Sequence, residues 1–436
     1  MLRNKRSFYV CTIGGFISLF HANFIFADQY HYNNMLIGNR AAGLAGAYVA
    51  VADDPSGLYY NPSGVVYAAS GNITANMNAY SYTQTTYADA LESASGKKVD
   101  WVRTSSGLIP NFFGITQPLG PGTIGFSYAV TDSILEDQTQ AFSDTPLAGI
   151  THRINFNNQD TTNNIGPSYA ISINDNLSVG LTLYGYIRNQ KRILNQIIDV
   201  SKVGETDIPL EDRAFLIDNR YLTLSEYGVK PILGVTYTPF NKLSFGFTAS
   251  QVFLLSSEVK IQDSIARNNC VVDGVVERCT GDDPTVFDLI QSSDSSQREF
   301  PWQVSMGAAY FHSNRLMLTG TAWVYKAINN TDRPLINVAG GLEYYIAGKI
   351  AVRMGAYTNF ANTPEIKLEN GTNAKEHLNI VGGTMSITNF TRSSAISIGF
   401  SGSYGKGEAQ VGPDTASIQN VKYIGMSLFL SASNSF

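Results

Sequence analysis

The feature that most narrows the fold is a period of two. Segments of about ten residues alternate apolar with small or polar side chains, and they recur along most of the chain. A strand sends successive side chains to opposite faces, so each segment carries one apolar and one polar face. In the segment from Leu177 to Arg188, Leu177, Val179, Leu181, Leu183 and Ile187 point one way. Ser178, Gly180, Thr182, Tyr184, Tyr186 and Arg188 point the other. From Leu243 to Phe253, Leu243, Phe245, Phe247 and Phe253 face out, and Ser244, Gly246, Thr248 and Ser250 face in. From Lys349 to Asn359, Ile350, Val352 and Met354 face out, and Arg353, Tyr357 and Asn359 face in. Apolar outside and polar inside is the pattern of a transmembrane barrel. After Ala27 no apolar run approaches the ~18 residues of a membrane helix, which argues against a helical membrane protein.

The segments come as hairpins. Asn174-Asp175-Asn176, Pro239-Phe240-Asn241-Lys242, Ser313-Asn314-Arg315, Ala347-Gly348, Leu119-Gly120-Pro121-Gly122 and Asn389-Phe390-Thr391-Arg392 are turn chemistry between alternating runs. Longer polar stretches near 132–164, 189–228 and 256–300 separate the hairpins and are expected as loops. Short turns on one side and long loops on the other match outer-membrane topology. The pattern predicts an all-β fold, a 14-stranded antiparallel transmembrane β-barrel. Its strands begin near 73, 108, 123, 165, 177, 229, 243, 302, 316, 335, 349, 378, 394 and 421. Closure leaves no unpaired edge in lipid. A soluble β-sandwich has no use for the outward apolar stripes. The final run, Tyr423 to Phe436, aligns Ile424, Met426, Leu428 and Leu430 and ends on Phe436, in the manner of strands that barrel-assembly machinery recognises. Asn434 stands where an aromatic is often found.

Composition agrees. Charged residues make up 15% of the 436, well under the roughly 25% of soluble domains. The net charge of −5 argues against nucleic acid, which favours a basic patch. Arg3, Lys5 and Arg6 followed by the apolar run Phe8–Phe20 read as a signal peptide, residues 1–27, ending at Ala27. His21 and Asn23 interrupt that run too early for a span of ~20 residues. Cys11 lies within it. In an exported chain, Cys270 and Cys279 are expected to form a disulfide that staples an exposed loop. Metal binding is the weaker reading, because no His lies nearby. No metal or cofactor is called for.

Residues 28–70 precede the first strand and form a second unit before the barrel, 71–436. The segment is rich in small residues, too small to fold alone and too polar to span. It fits as a plug inside the barrel, with a periplasmic extension as the alternative. Asp54 followed by Pro55 predicts a short helix through Leu58 and Tyr60 that stops at Asn61, because the residue before a proline disfavours the α region. Three stretches then carry a resemblance: Asn39-Arg40-Ala41-Ala42-Gly43; Gly46 through Asp53 and Asp54; and Tyr59-Tyr60-Asn61-Pro62-Ser63-Gly64. They resemble the N-terminal hatch of the FadL family of outer-membrane transporters for hydrophobic compounds, which includes carriers of long-chain fatty acids and channels for aromatic hydrocarbons. The family motif is Asn-Pro-Ala; here it reads Asn61-Pro62-Ser63.

The resemblance implies passive uptake across the outer membrane of a Gram-negative cell by a monomeric barrel in outer-membrane lipid. A hydrophobic ligand would be caught on extracellular loops, pass to a lumenal pocket and leave sideways through a kinked third strand when the hatch shifts. Asp53, Asp54, Asn61, Pro62, Ser63 and Gly64 would be the gating residues. Loop residues such as Ile193, Leu194, Ile197, Leu289 and Ile290 are candidates for the outer groove, or they pack the loops together. Gly125 is the candidate for the kink. A long-chain fatty acid is the favoured ligand, with Arg188 and Arg353 as candidates for its carboxylate; the alternative is that they pair with lumenal acids such as Glu343. Three rivals remain. An enzyme is disfavoured, because His31, His152, His312 and His377 fall in the plug, in loops or beside a turn. A general porin lacks a Gly-rich plug. A secretion-attachment, adhesin or receptor role for the loops stays open.

Overall fold

The computed structural model describes residues 31–436 apart from 33, 69–70, 93–97, 145–149, 201–213, 269–270, 273–274, 277–284, 328–333, 347, 364, 367–375 and 411–417. The expected signal peptide and both Cys270 and Cys279 therefore lie outside the described residues. Sixteen strands build one sheet: β1 (Asn72–Glu92), β2 (Lys98–Leu119), β3 (Gly122–Asp144), β4 (Ile150–Asn174), β5 (Leu177–Val200), β6 (Ala214–Phe240), β7 (Leu243–Ser250), β8 (Phe253–Asn268), β9 (Thr285–Asp294), β10 (Gln303–Phe311), β11 (Leu316–Tyr325), β12 (Leu335–Ile346), β13 (Ile350–Asn359), β14 (Glu376–Phe390), β15 (Ser394–Ala409) and β16 (Gln419–Ser435).

Neighbouring strands pair antiparallel, β1 pairs with β16, and β6 pairs with both β7 and β8. β9 pairs with β8, and β10 pairs with β7. Thus β7 with β8, and β9 with β10, are each the lower and upper pieces of one barrel stave. The result is a closed antiparallel barrel of fourteen staves. Six of the gaps between strands fall on the six turn sequences.

The faces follow the period of two. On β5, Ser178, Thr182, Tyr184 and Arg188 are buried, while Leu181 and Leu183 are about half exposed, with nothing of the chain outside them. Met354, Ile396, Ile398, Phe400, Met426 and Leu428 are likewise exposed on their staves. So much exposed apolar surface is costly in water and stable only against lipid. The last residue anchors the seam: the Phe436 amide donates to Gly71 O at 2.9 Å. Asn434, in the unusual position, donates to Ser394 Oγ at 3.0 Å.

The structure corrects the reading of the long polar stretches. Most of 132–164, 189–228 and 256–300 is strand, an upward continuation of β3, β4, β5, β6, β8 and β9. On β4 the inward Ile154, Phe156, Asn158, Asp160 and Asn164 are buried, and the outward Arg153, Asn155 and Gln159 are exposed. The alternation of burial persists although both faces are polar. Backbone pairing sustains a strand wherever a neighbour continues; the apolar stripe is needed only where the wall meets lipid. His152 and His377, expected in loops, accordingly lie on β4 and β14.

The N-terminal segment lies against the inner face of the barrel. It holds α1 (Asn39–Gly43), α2 (Gly57–Tyr60) and a 3-10 turn over Pro62–Tyr67. The helix expected after Asp54 is present but starts two residues later than Pro55. Asp54 accepts from the Ser56 amide at 2.8 Å, closing the turn that leads into it. Ile37, Leu44, Tyr48, Leu58 and Val65 are fully buried. Inward glycines on the staves make room for this backbone. A Cβ on Gly180 would sit 2.6 Å from Pro62 C, one on Gly246 2.1 Å from Val49 O, and one on Gly355 2.6 Å from Leu44 C.

Candidate functional site

The site is built where this segment meets the wall. Asn61 is fully buried. Its side-chain amide donates to Val49 O at 2.8 Å, to Thr236 Oγ1 at 3.1 Å and to Val235 O at 3.2 Å. Its side-chain oxygen accepts from the Ser63 hydroxyl at 2.7 Å and the Ser63 amide at 3.2 Å. Asn61 thereby caps the 3-10 turn, with Pro62 at the first position where a missing N–H costs nothing. Ser63 Oγ lies 2.7 Å from Thr236 Oγ1, and Ser178 donates to Ser63 O at 3.0 Å. Ser63 thus adds a satisfied hydroxyl to the contact with β6. Gly64 and Gly57 close over one carbonyl: a Cβ on either would come within 2.5 Å or less of Ala52 O.

A second tie is ionic. Arg40 reaches Asp53 at 2.6 Å and Glu343 at 2.6 Å. Glu343, fully buried on β12, also accepts from Arg353 at 2.7 Å, and Arg353 continues to Thr388. Removing one member of such a buried pair strands the other charge and costs about 3–5 kcal/mol. The array therefore holds α1 to β12 and β13 far more firmly than an exposed pair would. Asp54 sits beside it, and burial raises its pKa above the usual carboxylate value.

Above the segment two adjoining cavities, of about 40 and 130 Å³, share Tyr32, Tyr59, Thr131, Lys230, Ser250 and Gln303 in their walls. Lys230 lies 4.9 Å from the Tyr59 ring centroid and makes no ion pair among the described residues. Arg188 borders the larger cavity but is engaged by Asp160 at 2.7 Å and Glu226 at 3.6 Å. Arg353 lies beneath, within the array just described. Parity therefore placed both arginines in the lumen, yet carboxylates of the chain already hold them. Lys230 was not singled out in the sequence; its inward position on β6, next to the buried Ile232, was the available signal.

Thr131 and Asp132, which line the larger cavity, sit at an interruption of the wall. β2 and β3 pair at Ser105↔Glu136 and again from Phe112↔Ala129 downward, with no pair between among the described residues. β3 carries a bulge between Val130 and Asp132. On β2 both Asn111 and Phe112 are buried, a slip of one residue in the alternation, next to Pro110, which has no amide to donate. Gly125, the expected kink, is regularly paired with Thr116 and packs against Leu58. The interruption therefore lies in the third stave but not at that glycine. The N-terminal segment touches it twice: Asn34 donates to Asp132 at 3.2 Å, and Asn111 donates to Leu36 O at 3.0 Å.

The upper wall does not form one apolar groove. Ile193 and Ile197 face out, and Leu194 faces in to join Ile154 and Phe156. Around them the inner face is ionic, with Arg103–Glu136 at 2.7 Å, Arg220–Asp263 at 2.7 Å and Arg298–Glu226 at 2.8 Å. Leu289 and Ile290 are exposed on β9. His31 is bonded to Leu378 O at 2.7 Å, and no cluster of metal-binding side chains occurs among the described residues.

No protein-family model matches the chain, and no curated protein matches it in sequence. Solved structures do match in fold. A FadL homologue from Pseudomonas aeruginosa superposes with a TM-score of 0.59 at 13% identity, covering 93% of this chain and 100% of that one. The toluene transporter TodX of P. putida gives 0.58 at 11% identity, over 93% and 99%. The toluene transporter TbuX of Ralstonia pickettii gives 0.55 at 12%, again over 93% and 99%. The chain therefore has the fourteen-stave barrel fold of the FadL-type transporters.

Proposed function

We propose that this barrel is a passive outer-membrane channel for small hydrophobic molecules, with residues 28–70 as its hatch. The observation that carries the reading is the interruption between β2 and β3 beside a lumenal cavity, contacted by the hatch through Asn34 and Leu36. A poorly soluble molecule gains little from a water-filled pore and much from a short transfer out of the lumen into lipid. Asn61, Pro62, Ser63 and Gly64 moor the hatch to β5 and β6, and Asp53 holds Arg40, which moors it to Glu343 on β12; a shift at these points moves Asn34 and Leu36 against the gap.

The cavity speaks to ligand size. A cavity of about 150 Å³ holds one benzene ring, whereas drug-sized ligands need about 300–1,000 Å³. At about 130 Å³ the larger cavity suits a single aromatic ring. With Arg188 and Arg353 both engaged, a fatty-acid carboxylate would have to turn to Lys230, and the hatch would have to move further to admit its chain. Single-ring hydrocarbons are therefore placed first and long-chain fatty acids second.

The test is equilibrium binding of a fluorescent long-chain fatty acid to the refolded barrel, competed by unlabelled fatty acid and by toluene. Displacement by toluene is expected, and Lys230→Ala is expected to weaken fatty-acid binding by about tenfold, the loss of one charge-assisted contact, while leaving toluene unaffected. Binding of neither ligand would overturn the channel reading. It would favour a sealed barrel that acts through its extracellular sheet, a role to which the ionic lining of the upper wall is suited.

A further inference from the structure

The wall is interrupted a second time, on the opposite side of the cavity. The ladder joining the seventh and eighth staves has its last lower pair at Ser250↔Gln303 and its first upper pair at Val259↔Asp294. Residues 251–258 thus face residues 295–302 with no ladder pair among the described residues. The segment 295–302 crosses this slot as a strap. Side chains fasten it: Gln251 donates to Phe300 O at 3.0 Å, Gln297 donates to Leu255 O at 3.2 Å, and Arg298 grips Glu226 at 2.8 and 2.9 Å. A strap held by a few side-chain bonds opens at far lower cost than a continuous backbone ladder.

Behind the strap lies the larger cavity, whose wall includes Gln251, Val252, Arg298, Phe300 and Pro301. In front of it lies an apolar rim. Phe253 is 43% exposed, Trp302 50% and Leu255 68%, and the Phe253 and Trp302 rings meet edge to face at 6.4 Å. Leu255 is the extra residue of a bulge opposite Tyr227 and Gly228, which turns it out of the ladder. Height agrees with the chemistry. β7 has eight residues. At about 3.3 Å per residue on a stave tilted by ~40°, they climb roughly 20 Å, close to the top of an apolar band of about 25 Å. Exposed Trp and Phe at that level are what the outer lipid interface selects.

We propose that this slot is a second lateral portal, through which apolar molecules dissolved in the outer leaflet exchange with the lumenal cavity when the strap 295–302 swings aside. The inference rests on the channel reading above. It differs from the β2–β3 gap in place and in its gate, which is the strap and not the N-terminal segment. Phe300 packs 5.5 Å from the Tyr186 ring on the cavity side, and the Arg298 guanidinium lies 4.3 Å from the Phe300 ring, so one motion of the strap uncovers both aromatic faces to the incoming molecule.

The experiment uses the full-length barrel in proteoliposomes, with the native cysteines replaced by serine and toluene as the probe. Leu255→Cys with Gln297→Cys places a staple across the slot; Gly107→Cys with Leu135→Cys places one across the β2–β3 gap. Oxidising the first pair is expected to slow exchange of toluene between membrane and lumen, with recovery on reduction, and oxidising both pairs together to abolish it. Arg298→Met, which frees the strap from Glu226 without adding a crosslink, is expected to raise the exchange rate. Unchanged exchange in the oxidised Leu255–Gln297 staple, with loss only in the Gly107–Leu135 staple, would overturn the second portal and keep the channel. Absence of toluene exchange in the unstapled protein would overturn the channel reading itself, and the portal with it.

Discussion

At the scale of the residue, the period of two told which way a side chain points but not what meets it. Arg188 and Arg353 face the lumen as parity requires, and what meets them is Asp160 and Glu343 on the neighbouring strands β4 and β12, the second being the alternative partner read from the sequence. The engagement of Glu343 by two arginines makes it the most sensitive ionic position. Glu343→Gln is expected to destabilise the barrel by about 3–5 kcal/mol, because Arg353 then loses its buried carboxylate and faces an Arg40 held only by Asp53; urea unfolding in lipid vesicles measures it, and a change below about 1 kcal/mol would show that water screens the array. Asn61 was legible as a motif residue, but its reach to Val49 O and Thr236 was not. Asn61→Ala leaves several buried groups without partners, at about 1–3 kcal/mol each. The expected result is a protease-sensitive N-terminal segment inside a barrel whose heat-modifiable gel mobility is unchanged.

At the scale of the element, the turns were the most legible feature, because each must supply Gly, Asn, Asp or Pro where the chain reverses. The upper strands were not legible. Their outward faces meet water, so the apolar stripe that marks a lipid-facing stave is missing, and only pairing with a neighbour keeps them extended. The glycines show the same divide between local and tertiary causes. Gly234 and Gly340 look alike in sequence. A Cβ on Gly234 would lie 2.2 Å from the Asn61 side-chain oxygen, whereas one on Gly340 meets nothing closer than 4.0 Å. Gly234→Ala is expected to cost about 1–3 kcal/mol by overpacking and to loosen the N-terminal segment. Gly340→Ala is expected to be neutral. Equal melting temperatures for the two variants would show that the segment yields without strain. The interruption of β3 had its clue in the neighbouring stave, at Pro110, and not in Gly125.

At the scale of the molecule, the barrel and the segment within it answer to different forces. Lipid and the backbone ladder hold the wall; Asn61, Ser63 and Arg40 hold the segment to it. Deleting residues 31–68 is therefore expected to leave a closed barrel with an open lumen, seen as a rise in single-channel conductance over the intact protein, and an unchanged conductance would mean that other parts of the chain seal it. By itself the sequence determined the stave count, the inward and outward faces, the six short turns and the presence of a small-residue segment before the barrel. Each follows from local rules, a period of two or a turn residue, that act within about ten neighbours. Tertiary structure alone decided that Arg40 joins Arg353 on Glu343, how high the staves rise, where two ladders break and how large the cavity between those breaks is. These depend on pairs such as Arg40 with Glu343, or Ser250 with Gln303, that are distant along the chain and meet only when the sheet has closed.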